Sequence, residues 1–361
     1  MIRKWFGKFF LLIFLAWMVT AGAADDSPVV LVIHGGAGTI KRENMDAEKE
    51  AEYHAALRSA LATGHGILRQ GGSSLDAVVA TLTVLEDSPL FNAGKGAVFN
   101  GNGQNELDAS IMDGSNLNAG AVAGVKHVKN PIVLARKVME NSRHVLLTGE
   151  GAEEFAKQQG LEFVSTEYFF TPHRWQQLEQ RKLQEASEPD KPAFDINQQS
   201  ALADDRYLGT VGAVALDRNG NLAAGTSTGG LTNKHWGRVG DAPIIGAGTY
   251  ANNRTLGVSG TGDGEYFMRG VVAYDVSALM QYRGYSVEAA LYHVVQEKLV
   301  DMGGAGGLIA VDKDGNIAME FNTWGMYRGY VDRDGKVHTA IYEKQPRAAP
   351  GDATTTDSSD K

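Results

Sequence analysis

The 361-residue chain contains no cysteine. That absence removes thiol nucleophiles, disulfides, thiolate zinc sites, iron–sulfur clusters and a lipid-bearing cysteine anchor together. Any covalent nucleophile must then be Ser, Thr, Lys or a carboxylate. No Lys/Arg-rich run is present either: 34 basic residues face 43 acidic ones, a formal charge of −9. Phosphate recognition needs a concentrated basic face, so a dedicated nucleic-acid binder is excluded. The nine histidines show no H-E-x-x-H or paired spacing, which leaves nothing to build a catalytic transition-metal site. A hydrophobic fraction of 43% rules out a disordered or multispanning chain and supplies a sizeable core.

What is present begins with an address. Arg3, Lys4 and Lys8 precede an apolar run from Phe9 to Thr20, which ends Ala21-Gly22-Ala23. This is the pattern of a cleavable secretory signal over 1–23, and twelve apolar residues are too few to span a bilayer. Removing three cations and no acid leaves 31 − 43 = −12 over 338 residues. The expectation is an acidic, periplasmic or secreted protein.

Pro28 to Ile33 reads as a buried strand entering the glycine turn His34-Gly35-Gly36-Ala37-Gly38. Helices are expected over Asp46–Arg69 and from Ser73, whose Ser-x-x-Asp spacing to Asp76 marks a start, to about Glu86. Strands follow near Glu106–Met112 and Gly120–Val125, and Pro131 opens a further helix. From about Thr171 to Asp205 the composition shifts to Gln, Glu, Lys and Pro, read as one exposed helix and a mobile stretch that packs little. Val211–Leu216 and Leu222–Ser227 flank Asp217-Arg218-Asn219-Gly220-Asn221, a hairpin signal repeated by Leu308–Val311 and Ile317–Phe321 around Asp312-Lys313-Asp314-Gly315-Asn316. Neither turn has the glutamate that closes a calcium loop. Helices are expected over Gly264–Met280 and Ser286–Met302, and Gln345–Lys361 reads as a disordered tail. Antiparallel hairpins among helices predict one large α+β domain over 24–344.

Gly225-Thr226-Ser227-Thr228-Gly229 matches a serine-hydrolase elbow, with Asp263 and His293 or His338 in the order of a triad. An elbow must turn from strand directly into helix, and Gly230-Leu231-Thr232-Asn233-Lys234 has no helical periodicity. Gly246-Ala247-Gly248-Thr249-Tyr250-Ala251 fits a dinucleotide fingerprint, but Asn252-Asn253-Arg254 does not continue a helix. Gly209-Thr210, at the junction of linker and buried strand, carries more chemistry. If the chain is cut before Thr210, the freed α-amine, with a pKa of roughly 7.7–8.0, can take the proton from its own hydroxyl. Gly209 lacks a Cβ, so the peptide can adopt the conformation such an attack requires.

Five ordered motifs now become recognisable. Val32-Ile33-His34-Gly35-Gly36-Ala37-Gly38, Phe91 to Phe99, Glu106 to Gly114, Gly209 to Asp217, and Thr226 to Gly230 continuing to Gly237-Arg238-Val239-Gly240-Asp241 closely resemble the plant-type L-asparaginase/isoaspartyl peptidase family. The likeness covers about Val29 to Glu343. The resemblance implies an N-terminal nucleophile hydrolase: a four-layer αββα sandwich, made as an inactive precursor, self-cleaved at Gly209–Thr210 into an α chain of 24–209 and a β chain of 210–361, and assembled as a dimer of αβ units. Thr210 matches the nucleophile, and Thr228 the threonine that supports it. Arg238 and Asp241 match a clamp for the α-carboxylate and α-ammonium of an aspartyl substrate. Thr261 and Gly262 match the oxyanion-hole pair, and Gly264 a main-chain substrate contact. Asn92 matches a residue ordering the site near the nucleophile. No cofactor for catalysis is implied, but a structural sodium ion is, held by backbone carbonyls of Leu85, Glu86, Ser88, Phe91, Ala93 and Lys95. Gly260 and Asp263 depart from the pattern, and a carboxylate at Asp263 would stand beside the oxyanion hole. The expected reaction is release of L-aspartate from β-aspartyl dipeptides and L-asparagine. The alternatives are a glycosylasparaginase and, from another class, a non-catalytic periplasmic amino-acid-binding protein.

Overall fold

A computed structural model of the chain describes residues 29–187, 209–332 and 334–342. The expected signal 1–23, the linker beyond 187 and the tail 345–361 lie outside the described residues.

The N-terminal strand β1 (Val30–Gly38) carries apolar side chains at every position from Val30 to Ile33 because both of its faces are covered. Leu31 and Ile33 point into one core, Val30 and Val32 into another, as the two-residue period of a strand requires. The glycine segment after His34 continues the strand through a bulge between His34 and Ala37, where a turn was expected. Helix α1 (Ala47–Arg69) starts where Asp46 accepts a hydrogen bond from the Lys49 N–H, and α2 (Ser74–Glu86) where Ser73 accepts from the Asp76 N–H. Strands β2 (Leu107–Asp113) and β3 (Ala119–Val125) and helix α3 (Pro131–Asn141) follow. A short strand β4 (Leu146–Thr148) and helix α4 (Gly149–Gln158) were not anticipated. Glycines 149 and 151 in its first turn hide α4 from a propensity reading.

Helix α5 (Pro172–Ser187) is the expected, largely exposed helix, docked through a few residues. Leu178 is fully buried, Arg174 Nε donates to the Gly96 carbonyl at 2.8 Å, and Trp175 meets Phe99 edge-on.

After the linker, β5 (Val211–Leu216) and β6 (Leu222–Thr228) form the expected hairpin. Strands β7 (Thr249–Ala251) and β8 (Leu256–Gly262) lead into α6 (Gly264–Gly270) and α7 (Val272–Arg283). The single helix expected here is broken at Val271, which adopts φ 48°. A β-branched residue there costs about 1–2 kcal/mol, and Lys298 spans the break, its Nζ donating to Gly270 O and Asp275 Oδ2. The next helix runs as α8 (Val287–Tyr292), a π-helical stretch His293–Lys298 and α9 (Leu299–Met302). Strands β9 (Gly306–Asp312), β10 (Ile317–Phe321), β11 (Gly325–Val331) and β12 (Val337–Tyr342) complete the described fold.

The strands form two sheets, one of eight strands in the order β12-β11-β1-β5-β6-β2-β3-β4 and one of four in the order β10-β9-β8-β7. Leu57 and Leu61 of α1 and Val78 and Leu82 of α2 cover one face of the larger sheet. Val32 and Val214 from that sheet share a core with Ile309 and Val311 of β9. Leu256 and Val258 of β8 pack with Val276 and Leu291 from the second helical region. Each such aliphatic burial stabilises the fold by about 1.5–3 kcal/mol.

Candidate active site

Thr210 immediately precedes β5 in the middle of the eight-stranded sheet and is almost fully buried. The hairpin places Thr228, last residue of β6, beside it: Thr210 Oγ1 lies 3.1 Å from Thr228 Oγ1. In the intact chain three donors converge on the Gly209 carbonyl oxygen: Asn92 Nδ2 at 2.8 Å, Thr210 Oγ1 at 2.8 Å and Thr228 Oγ1 at 3.2 Å. Asn92 also donates to Gly230 O and accepts from the Val98 N–H, which fixes its amide orientation. A Cβ on Gly209 would stand 2.8 Å from the Asn92 Cβ, so the position admits only glycine without displacement.

Arg238, Asp241 and Gly264 form a second group. Arg238 Nε and Nη2 each donate at 2.9 Å to the two carboxylate oxygens of Glu265, a bidentate pair that fixes the plane of the guanidinium. Sequence reasoning missed Glu265, although it directly follows Gly264. A Cβ on Gly264 would reach within 2.8 Å of both Arg238 Nη2 and Asp241 Oδ1, so this glycine keeps the space before both charges open. Burial pushes the Asp241 carboxyl up to about 7 against the opposing pull of Arg238, and its Oδ2 has no hydrogen-bond partner among the described residues.

Thr261 and Gly262 end β8. Thr261 Oγ1 accepts from the Ala37 N–H at 3.3 Å, which ties it to the segment after His34, not directly to Thr210. Asp263 turns its carboxylate to the Ala305 N–H at 3.2 Å, so that charge is engaged with the main chain. Two buried groups absent from the sequence reading flank the site. Lys234, held down by burial, donates from Nζ to Glu106 O at 2.9 Å. Asp108, raised by burial, pairs in register with Thr228.

The geometry agrees with setting the serine-hydrolase match aside. Ser227 Oγ donates to Glu86 Oε1 at 2.6 Å, while His293 and His338 pair with Glu297 and Asp332. Burial raises Glu86 to about 8, which suits a neutral carboxyl and not an activating base for Ser227.

At the end of α2 and in the loop after it, the Leu85, Phe91 and Ala93 carbonyls accept from the Ser88, Ala93 and Gly96 N–H groups of the loop itself. Cβ atoms on Gly94 and Gly96 would stand 2.3 Å from Glu86 O and 2.0 Å from Phe91 O. Among the described residues no cluster of His, Cys, Asp or Glu could hold a metal ion, so a cation here would rest on carbonyls, the donor chemistry of a hard ion.

An asparaginase family model matches residues 27–341. The isoaspartyl peptidase of Escherichia coli K12 is 50% identical over 88% of this chain and 97% of its own length. The isoaspartyl peptidase/L-asparaginases of Xenopus laevis and Homo sapiens are 43% and 39% identical over 89% and 92% of this chain, and 97% and 99% of their own lengths. With a family match spanning nearly the whole described fold and relatives this similar, the chain belongs to the asparaginase family that includes the isoaspartyl peptidases.

Proposed function

We propose that the protein is a self-processing threonine hydrolase that releases L-aspartate from β-aspartyl dipeptides and from L-asparagine. The observation that carries this reading is the ring of donors around the Gly209 carbonyl oxygen. Attack of Thr210 Oγ on the Gly209 carbonyl carbon forms an Oγ–C bond and, as the C–N bond breaks, passes the hydroxyl proton to the Thr210 nitrogen. Asn92 Nδ2 and Thr228 Oγ1 stabilise the charge that develops on the oxygen. Water then hydrolyses the ester, leaving an α chain of 24–209 and a β chain of 210–361 whose free α-amine serves as the base in turnover.

In turnover Thr210 attacks the side-chain carbonyl of the substrate. Glu265 occupies the Nε/Nη2 edge of Arg238 and leaves Nη1 to meet the α-carboxylate, while Asp241 takes the α-ammonium. Thr261 Oγ1 and the Gly262 N–H receive the oxyanion, and Gly264 admits the substrate to its backbone. A clamp on both α groups selects the side-chain linkage over an ordinary peptide bond.

The three apolar cores support a four-layer αββα stacking of helices and sheets. The carbonyl-lined loop fits a structural sodium ion held by Leu85, Glu86, Ser88, Phe91, Ala93 and Lys95, which orders the chain on both sides of Asn92. We place the mature protein outside the cytoplasm, on the charge and apolar pattern of residues 1–23, and as a dimer of αβ units.

Intact mass and N-terminal sequencing beside Thr210→Ala test the reading. Expected are two fragments, one starting Thr210-Val211-Gly212, an uncut variant, and faster turnover of β-Asp-Leu than of a sugar–asparagine amide. A single uncut wild-type chain would overturn the mechanism, and the reverse substrate preference would make the protein a glycosylasparaginase.

A further inference from the structure

A seam of buried polar side chains crosses the layer between the two sheets. His34, Ser259, Thr226, Thr249 and Ser110 are all fully buried and touch in sequence. His34 Nε2 is 2.9 Å from Ser259 Oγ, Ser259 Oγ 2.7 Å from Thr226 Oγ1, and Thr249 Oγ1 bridges Thr226 Oγ1 to Ser110 Oγ. One end of the seam reaches the reacting residue, where His34 Nδ1 lies 3.0 Å from the Thr210 carbonyl oxygen. At the other end Ser110 Oγ lies 2.6 Å from Ala242 O, and Thr226 Oγ1 lies 3.1 Å from Gly248 O. Those two carbonyls bracket the loop that begins at Asp241, and the Gly248 N–H closes that loop on Asp241 O.

Proton counting gives the seam a direction. Burial holds His34 at about 3, so the ring is neutral. A carbonyl has no proton to give, so Nδ1 carries the hydrogen and Nε2 accepts. Ser259 must then donate its one proton to Nε2 and accept from Thr226. The one Thr226 proton faces two acceptors, Ser259 Oγ at 2.7 Å and Gly248 O at 3.1 Å, and the shorter contact directs it to Ser259. Thr226 is therefore the junction through which the hydroxyls on the loop side support the ring under the nucleophile.

We propose that this seam positions the Thr210 main chain and the Asp241 loop relative to one another, with Thr226 as its central positioning residue. The proposal rests on the proposed function and adds to it residues that touch neither substrate nor the reacting atoms.

Thr226→Val and Thr226→Ser separate packing from hydrogen bonding. Valine keeps the shape and loses the hydroxyl, and serine does the opposite. Expected for Thr226→Val are self-cleavage at Gly209–Thr210 slowed about tenfold or more and a raised KM for β-Asp-Leu, with Thr226→Ser within about twofold of wild type on both. At the two ends, Ser259→Ala should lower kcat and the self-cleavage rate with KM little changed, and Ser110→Ala should raise KM with kcat little changed. Wild-type rates in Thr226→Val, a Thr226→Ser variant as impaired as valine, or end variants that only lower Tm would overturn the seam as a positioning device. The direction is read independently of activity by 15N NMR of the His34 ring in the whole protein. A neutral ring protonated on Nδ1 supports the seam even if the wild-type chain fails to cut, whereas a charged ring or an Nε2–H ring overturns it.

Discussion

Asp241 is pulled two ways, because burial favours its neutral form while the proposed ammonium contact needs the ionised one. With the carboxyl raised from 3.8 to about 7, the free enzyme loses its anion as pH falls through neutrality. KM for a β-aspartyl substrate is therefore expected to rise about tenfold for each unit below pH 7, with kcat changing less. In Asp241→Asn the KM should be high at every pH and the slope absent. The stability sign is opposite to that of an ion-paired carboxylate, whose folded value is depressed. A raised folded value means that Asp241 contributes stability below about pH 3.8 and loses it as pH rises through about 7, so Asp241→Asn should melt higher than wild type at pH 8. A second prediction concerns Asn92, which gives two hydrogen bonds and accepts one. Asn92→Ala should slow self-cleavage by about 10²–10³, as loss of one oxyanion donor does elsewhere, and a time course of fragment appearance measures it.

Among elements, α5 shows where a sequence reading stops. The Gln/Glu/Lys-rich composition of 172–187 makes a solvated helix the natural expectation, but one buried leucine and one arginine that caps the Gly96 carbonyl dock it. Leu178→Ala should cost about 2–3 kcal/mol and speed hydrogen exchange along the helix; a free appendage would show neither. The starts of α1 and α2 were legible because Asp46 and Ser73 are side-chain caps. The β11–β12 hairpin carries a readable signal: Asp332 begins the same Asp-x-Asp-Gly turn as Asp312, and its carboxylate likewise accepts from the N–H groups two and four residues on. The break at Val271 was not legible, since it depends on Lys298 arriving from a distant helix. At the site, motif resemblance singled out Thr210, Thr228, Asn92, Arg238 and Asp241, which the fold gathers into two groups. Lys234 and the hydroxyl seam were invisible because single buried polar residues on strands and loops leave no periodic trace, and Glu265 because an acid in the first turn of α6 reads as an ordinary helix-start charge.

For the whole molecule, the order of strands decides what cutting at Gly209–Thr210 does. β1 comes from the chain before the bond, yet it lies between β5 and β11, both from after it, and β6 of the second segment pairs with β2 of the first. The two segments therefore share the centre of one sheet, and breaking the peptide bond just before β5 removes none of those ladders. Apolar residues of both segments, such as Leu31 with Ala213 and Val32 with Ile309, also share cores. The fully cut protein should elute as one species at nanomolar concentration, and its fragments should part only with global unfolding in denaturant, because separation exposes the same surface as unfolding. Fragments produced apart and then mixed should fail to regain activity, since neither holds a complete sheet to template the other. Efficient reconstitution from separately folded halves would show instead that the segments are independent units, and the shared-sheet argument would fall.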